Sequence, residues 1–85
     1  METRVAVVGI VVEDPDSVEK LNAILHEYSR YIIGRMGVPH RVRGISVISI
    51  ALDAPNDAIS SLAGRIGNLR GVSAKTAYSS VSFSE

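Results

Sequence analysis

The chain has 85 residues, no cysteine and no net charge, and 46% of its residues are hydrophobic. This size allows one domain, near the lower limit at which a single core is stable by itself. The composition excludes disulfides, thiolate catalysis and cysteine-ligated metal, and the zero net charge argues against direct binding of nucleic acid or anionic membrane. No apolar run is long enough to span a membrane, so we expect a cytoplasmic protein.

The first half of the chain predicts a strand, a helix and a second strand. Residues 5–12 are apolar at both alternating positions, which is typical of a strand buried on both faces. The acidic residues 13–16 start a helix. Its apolar stripe consists of Val18, Leu21, Leu25, Tyr28 and Ile32. Gly34 and Gly37 end the helix, and residues 35–42 form a short strand in which Pro39 predicts a sheet edge or a bulge.

The second half repeats the alternation of strand and helix. Residues 45–52 form a second buried strand, and residues 55–57 start the second helix. The core stripe of that helix consists of Ile59, Leu62, Ala63, Ile66 and Leu69. Gly71 ends the helix, residues 72–78 form the last strand, and the serine-rich residues 79–85 are expected to be a flexible tail.

The order β-α-β-β-α-β predicts an α+β ferredoxin-like sandwich over residues 1–78, with a four-stranded antiparallel sheet and two helices on one face. The other face of that sheet is bare in a monomer. Because the first and third strands are apolar at both alternating positions, we expect a second copy to cover this face in a dimer or tetramer. Val7, Ile48 and Ile50 are the strand residues predicted to lie in the interface or in close packing. The alternative is that the extra apolar positions only reflect a hydrophobic chain.

Three small residues, Ser60, Gly64 and Gly67, line one side of the second helix. Glycine within a helix lowers its stability by about 1 kcal/mol relative to alanine. Two glycines therefore suggest a steric reason, namely that another backbone passes close by. We favour packing against the first helix of the same chain over contact with a partner or ligand.

The chain as far as about residue 78 resembles the small ACT-like proteins named as regulators of the iron-only hydrogenase system. The most specific part is the helix motif NDAISSLAGRIGNLRGV, supported by VVEDPDSVEKLNAIL, YIIGRMGVP and GISVISIALD. This resemblance implies the ACT-like fold and, more weakly, a regulatory role without catalysis or cofactor.

The chain is also distantly similar to the nickel-binding domain of nickel-responsive repressors, on the triplet His26-Glu27-Tyr28. The strand histidines of that family fall at Gly37 and Pro39 here, and His40 is one residue out of phase, so it points to the opposite face of the strand. The resemblance therefore implies no complete metal site, and His26 is the single weak candidate for a metal ligand.

Five residues are the candidates for ligand binding. The segment EDPDS resembles the effector-binding turn of ACT domains, with the acid and the proline but no glycine, and this makes Asp14 a candidate. Four cations, Arg30, Arg35, Arg41 and Arg43, have no acid between Glu27 and Asp53. They indicate either an anion pocket or the polar rim of an interface, since arginine suits bidentate contacts to carboxylate and phosphate. The alternative is a solvated basic patch.

Two histidines and no cysteine provide no set of nucleophile, base and orienting group, so we predict no catalytic residues. The leading hypothesis is a homo-oligomeric regulatory domain that senses a small molecule or contacts a protein partner. The alternatives are a structural assembly module in metalloenzyme maturation, and a metal-binding protein that uses His26 across an oligomer interface.

Overall fold

A computed structural model describes residues 2–84 and shows four strands, two α-helices and two single 3-10 turns. Their bounds are β1 (Glu2–Val12), a 3-10 turn (Pro15–Ser17), α1 (Val18–Glu27), a 3-10 turn (Ser29–Tyr31), β2 (Ile32–His40), β3 (Ile45–Ala54), α2 (Asn56–Gly67) and β4 (Val72–Ser84). None of the helices described is long and apolar enough to cross a membrane.

The four strands form one antiparallel sheet in the order β2-β3-β1-β4. This is the order of the ferredoxin-like fold, and the predicted fold class is confirmed. The edge strands are β2 and β4, so the prediction that Pro39 lies at a sheet edge is also confirmed. An edge strand has a neighbour on one side only, which is why proline is tolerated there.

One face of the sheet and the inner faces of both helices form the core. In β1 and β3 the buried residues are the even-numbered ones, and they pack with the buried residues of α1 and α2. The largest fully buried side chains are Val8, Ile10, Val12, Leu21, Leu25, Ile50, Leu52, Ile59, Leu62 and Ile66. Because strand side chains alternate between faces, the odd-numbered residues of β1 and β3 lie on the face without helices, which we call the bare face.

The first helix is shorter than its apolar stripe predicted. It ends at Glu27, and Tyr28 leaves the helical region with φ −101° and ψ 11°. Ile32 and Ile33 already belong to β2. β-Branched residues favour the strand conformation, and Ile32 reaches the core from the sheet side, so its helical spacing was coincidental. Gly34 and Gly37 do not end a helix but lie within β2, opposite Ala51 and Ile48.

The boundary predicted at residue 78 is wrong, because β4 continues to Ser84. Ser82, Phe83 and Ser84 pair with the start of β1, and Glu85 lies outside the described residues. A bulge separates this pairing from the main ladder. Arg4 fills the bulge: its Nε and Nη2 donate to the carbonyl of Ser79 at 3.2 and 2.8 Å. The alternation of serine with Val81 and Phe83 was the strand signal in a segment judged by its serine content.

A compact junction ties the end of β1 to the loop before β4. The backbone N–H of Glu13 donates to the carbonyl of Gly71 at 2.7 Å. The buried hydroxyl of Ser17 donates to the carbonyl of Arg70 at 2.6 Å. Gly71 has φ +67° and lies directly against Asp14, so both the conformation and the close approach require glycine here.

Candidate functional site

A cleft with a volume of about 640 Å³ lies between the end of α1 and the start of α2. Its walls combine two aromatic rings, two carboxylates, one guanidinium and one hydroxyl. The lining residues are Glu27, Tyr28, Arg30, Tyr31, Pro55, Asp57, Ala58 and Ser61. This size and this mixture of apolar and convergent polar groups are typical of small-molecule sites. We call it the interhelix cleft.

Two contacts from α2 hold one wall of the interhelix cleft. Arg65 forms a bidentate pair with Glu27, at 2.7 Å from Nη1 to Oε2 and 3.1 Å from Nη2 to Oε1. The hydroxyls of Tyr28 and Ser61 lie 2.9 Å apart. Hydrogen bonding from Arg65 lowers the pKa of the Glu27 carboxyl. The hydrogen bond with Ser61, followed by one with Arg65, lowers the pKa of Tyr28. Both groups are therefore hydrogen-bonded to side chains of α2.

Arg30, in the 3-10 turn that follows α1, is the cationic residue that lines the cleft. Its guanidinium carbon lies 4.8 Å from the centre of the Tyr31 ring, and its Nη2 donates to the Tyr31 hydroxyl at 2.8 Å. The described residues form two ion pairs, Arg65 with Glu27 and Arg70 with Asp14. No carboxylate among them lies within 4.0 Å of the Arg30 guanidinium. A stacked arginine without an acidic partner is oriented for a planar anion such as a carboxylate.

A second cleft of about 330 Å³ lies between α1 and β2 and brings together His26 and Arg35. Arg35 donates from Nη2 to the side-chain oxygen of Asn22 at 2.8 Å. Ser29 also lines this cleft. Within residues 2–84 no group of three or more histidine, cysteine, aspartate and glutamate side chains could hold a metal ion. His26 therefore lines a cleft that it shares with a guanidinium, and it belongs to no such group among the described residues.

The remaining predicted ligand-binding residues lie elsewhere. Arg41 and Arg43 are exposed in the turn between β2 and β3. Asp14 lines neither cleft. Its carboxylate accepts from the N–H of Asp16 at 3.0 Å and lies 3.5 Å from Nε of Arg70. The four central arginines thus occupy three separate places and do not converge on one anion pocket in the protomer.

The bare face is apolar, and only those predicted interface residues whose side chains lie on it are accessible. Val7 is there and is 42% exposed. Ile48 and Ile50 are buried under the helices, so they belong to the close packing of the core and not to an interface. Their neighbour Val47, at 44% exposure, has the parity that reaches the bare face. The sequence could not separate interface from core here, because an apolar strand with both parities filled does not reveal which one faces the helices.

The packing proposed for the glycines of α2 is also wrong within the protomer. A Cβ atom added at Gly64 or Gly67 would meet nothing within 4 Å. Ser60 is exposed, and its hydroxyl lies 3.4 Å from that of Tyr78. These small residues therefore face outward from α2, and their contact with a partner stays a prediction.

Comparison with known proteins gives the family. The family profile described as "TM1266-like: Iron-only hydrogenase system regulator, putative" matches residues 4–76. The chain belongs to this family. The structure of the uncharacterized protein TM1266 from Thermotoga maritima is 32% identical, with a TM-score of 0.86, and the alignment covers 89% of this chain and 96% of that one. No curated protein matches the chain.

A more distant likeness concerns the fold alone. A formyltetrahydrofolate deformylase from Pseudomonas putida KT2440 is 15% identical, with a TM-score of 0.61. The alignment covers 85% of this chain and 28% of that one. The α+β sandwich of this family thus recurs as a part of a much larger protein.

For this member of the TM1266-like family, sequence reasoning missed most of the interhelix cleft. Tyr31, Asp57, Ser61 and Arg65 were not singled out. The available signal was the dense run of tyrosine and arginine from residue 28 to residue 31, where the stripe of α1 stops. Its counterpart on α2 is about 30 residues away in the chain and is brought close only by the fold.

Proposed function

We propose that this protein is a non-catalytic regulatory domain that works as a homo-oligomer and binds a small anionic effector in the interhelix cleft. The observation that carries the proposal is the Arg30–Tyr31 wall, where a stacked guanidinium without an acidic partner among residues 2–84 faces an open cleft. Membership of a family of regulators supports a regulatory role. The effector's anionic group would contact Arg30, and its apolar part would lie against the tyrosine rings.

The arrangement of polar groups argues for binding and not for catalysis. The Ser61 hydroxyl is paired with that of Tyr28, and His26 lines the other cleft. No histidine lines the interhelix cleft, so the serine there has no imidazole beside it to act as a base. A regulator needs affinity and a response to binding, and both are available where α1 and α2 meet.

The oligomeric part of the proposal is supported by the apolar side chains of the sheet. Val7, Met36, Val38 and Val47 are each at least 42% exposed on the bare face. A single copy leaves this patch in water, and extended apolar patches usually mark interfaces. Light scattering should therefore give a mass above the 9.1 kDa of one chain at micromolar concentration.

A thermal-shift screen of amino acids, nucleotides and divalent metals tests the effector. A ligand present at 100 times its dissociation constant stabilises the folded state by about 2.7 kcal/mol, which is readily measured. We expect an anionic hit that is lost in Arg30→Gln and retained in Arg41→Gln, a matched change in the exposed turn. A hit that both variants retain would place the effector outside the interhelix cleft.

The second candidate function is a structural assembly module of metalloenzyme maturation that binds a protein partner and no effector. The bare face favours it, because an apolar sheet serves protein contact equally well. No hit in the whole screen would support this module over sensing. A shift specific to nickel or zinc and removed by His26→Ala would instead support metal binding across an interface.

A further inference from the structure

Two parallel rows of side chains cross the centre of the bare face. In one row Met36 of β2 lies opposite Ser49 of β3, which in turn lies opposite Gly9 of β1. The next row consists of Val38, Val47 and Val11. Because strands in a sheet are evenly spaced, the first and last members of each row lie at equal distances on either side of β3.

The first row contains a knob and a hollow. Met36 is 64% exposed and stands above its surroundings. Gly9 has no side chain, and an added Cβ would have its nearest neighbour, the carbonyl oxygen of Lys75, at 3.9 Å. The protomer therefore has room for a side chain at Gly9 but leaves it empty. Glycine in a central strand weakens the sheet, and it often marks the close approach of another chain.

We propose that a second copy of this chain covers the bare face about a twofold axis parallel to β3, so that Met36 of each copy fills the hollow above Gly9 of the other. Such an axis exchanges the positions of β1 and β2 between the copies. The twofold rotation then forms the contact between Met36 and Gly9 at two symmetric places, as an isologous interface requires. This inference rests on the homo-oligomer of the proposed function and specifies its contact surface.

The absence of charge on the two rows fits this occupant. Neither row has a charged residue on β1, β2 or β3, and Lys75, opposite Gly9 on β4, belongs to the rim. Interface centres are depleted in charge in the same way. With the axis along β3, three strands of each copy, β1, β2 and β3, face the other copy. At a spacing of about 4.8 Å and a length of about eight residues they give a flat footprint of roughly 390 Å² per copy, or about 780 Å² for the pair, which is below the area of stable interfaces and fits a weak one. We therefore expect a dimer that dissociates in the micromolar range.

Gly9→Val tests the contact, and Gly37→Val is its matched control. Both are strand glycines at which an added Cβ has its nearest neighbour at 3.9 Å. Gly37 lies opposite Ile48 on the face of the helices, whereas Gly9 lies on the bare face. Both variants should fold, with melting temperatures at high dilution close to that of the wild type. Sedimentation should show at least a tenfold weaker association for Gly9→Val and an unchanged one for Gly37→Val.

A second variant makes the contact specific. Adding Met36→Ala to Gly9→Val removes the knob that no longer fits, so the double variant should regain part of the lost association. A wild-type chain that stays a monomer at all concentrations would refute the oligomer itself. A wild-type oligomer whose association Gly9→Val leaves unchanged would refute this surface and leave the oligomer standing.

Discussion

Gly71→Ala should be among the most damaging single changes in this protein, although it adds one methyl group at an exposed position. Gly71 has φ +67°. An added Cβ would lie 2.6 Å from Cβ of Asp14 and 3.0 Å from its backbone nitrogen. Asp14 cannot move away freely, because Glu13 beside it donates to the Gly71 carbonyl at 2.7 Å. The substitution therefore strains one backbone and pushes against another.

The cost has two parts. A left-handed conformation costs a residue with a Cβ about 1–2 kcal/mol. Forcing a methyl group into a filled site typically costs about 1–3 kcal/mol more. The sum, about 2–5 kcal/mol, corresponds to a fall in melting temperature of at least 8 °C, at about 4–8 °C per kcal/mol for a domain of this size.

Gly44→Ala separates the two parts of the cost. Gly44 also has φ +67°, but an added Cβ would meet nothing within 4 Å. The Gly44→Ala variant should therefore lose only the conformational part of the free energy of unfolding, about 1–2 kcal/mol. Thermal unfolding followed by circular dichroism, with all three proteins at one concentration, measures the difference. Equal losses for Gly71→Ala and Gly44→Ala would refute the steric part of the argument, and no loss in either would refute both parts.

Three further predictions concern α2 and nucleic acid. Gly64→Ala should raise the free energy of unfolding by up to about 1 kcal/mol, because the position is open and alanine is the better helix former. Urea denaturation measures this change, and a lower free energy of unfolding in the variant would show a hidden contact at Gly64. Arg65→Met should raise the pKa of Glu27 toward 4.5 in an NMR titration. Because the lowered pKa stabilises the fold above the unfolded-state pKa, the wild type loses this contribution as the pH falls through the folded-state pKa, whereas the variant should not. The isolated protein should show no discrete complex in a DNA gel shift at about 150 mM salt.

The sequence by itself determined the order of elements and most of the core. Periods of two and of about 3.6 residues are properties of local backbone geometry, so Ile59, Leu62 and Ile66 could be assigned to the buried stripe of α2 without a structure. The proline in β2 was equally readable, because it restricts the backbone where it stands. The end predicted for α2 at Gly71 was wrong, since α2 ends at Gly67.

The tertiary structure decided which parity of an apolar strand faces the helices. Both Val47 and Ile48 fit a buried strand, and the distinction arises only once α1 and α2 cover one side of the sheet. It also decided that β4 runs on to Ser84, since the pairing partner of that segment is the other end of the chain. The interhelix cleft depends in the same way on residues such as Arg30 and Ser61, which are distant in sequence. Local patterns fix the conformation of a segment, whereas contacts between distant segments exist only in the folded chain.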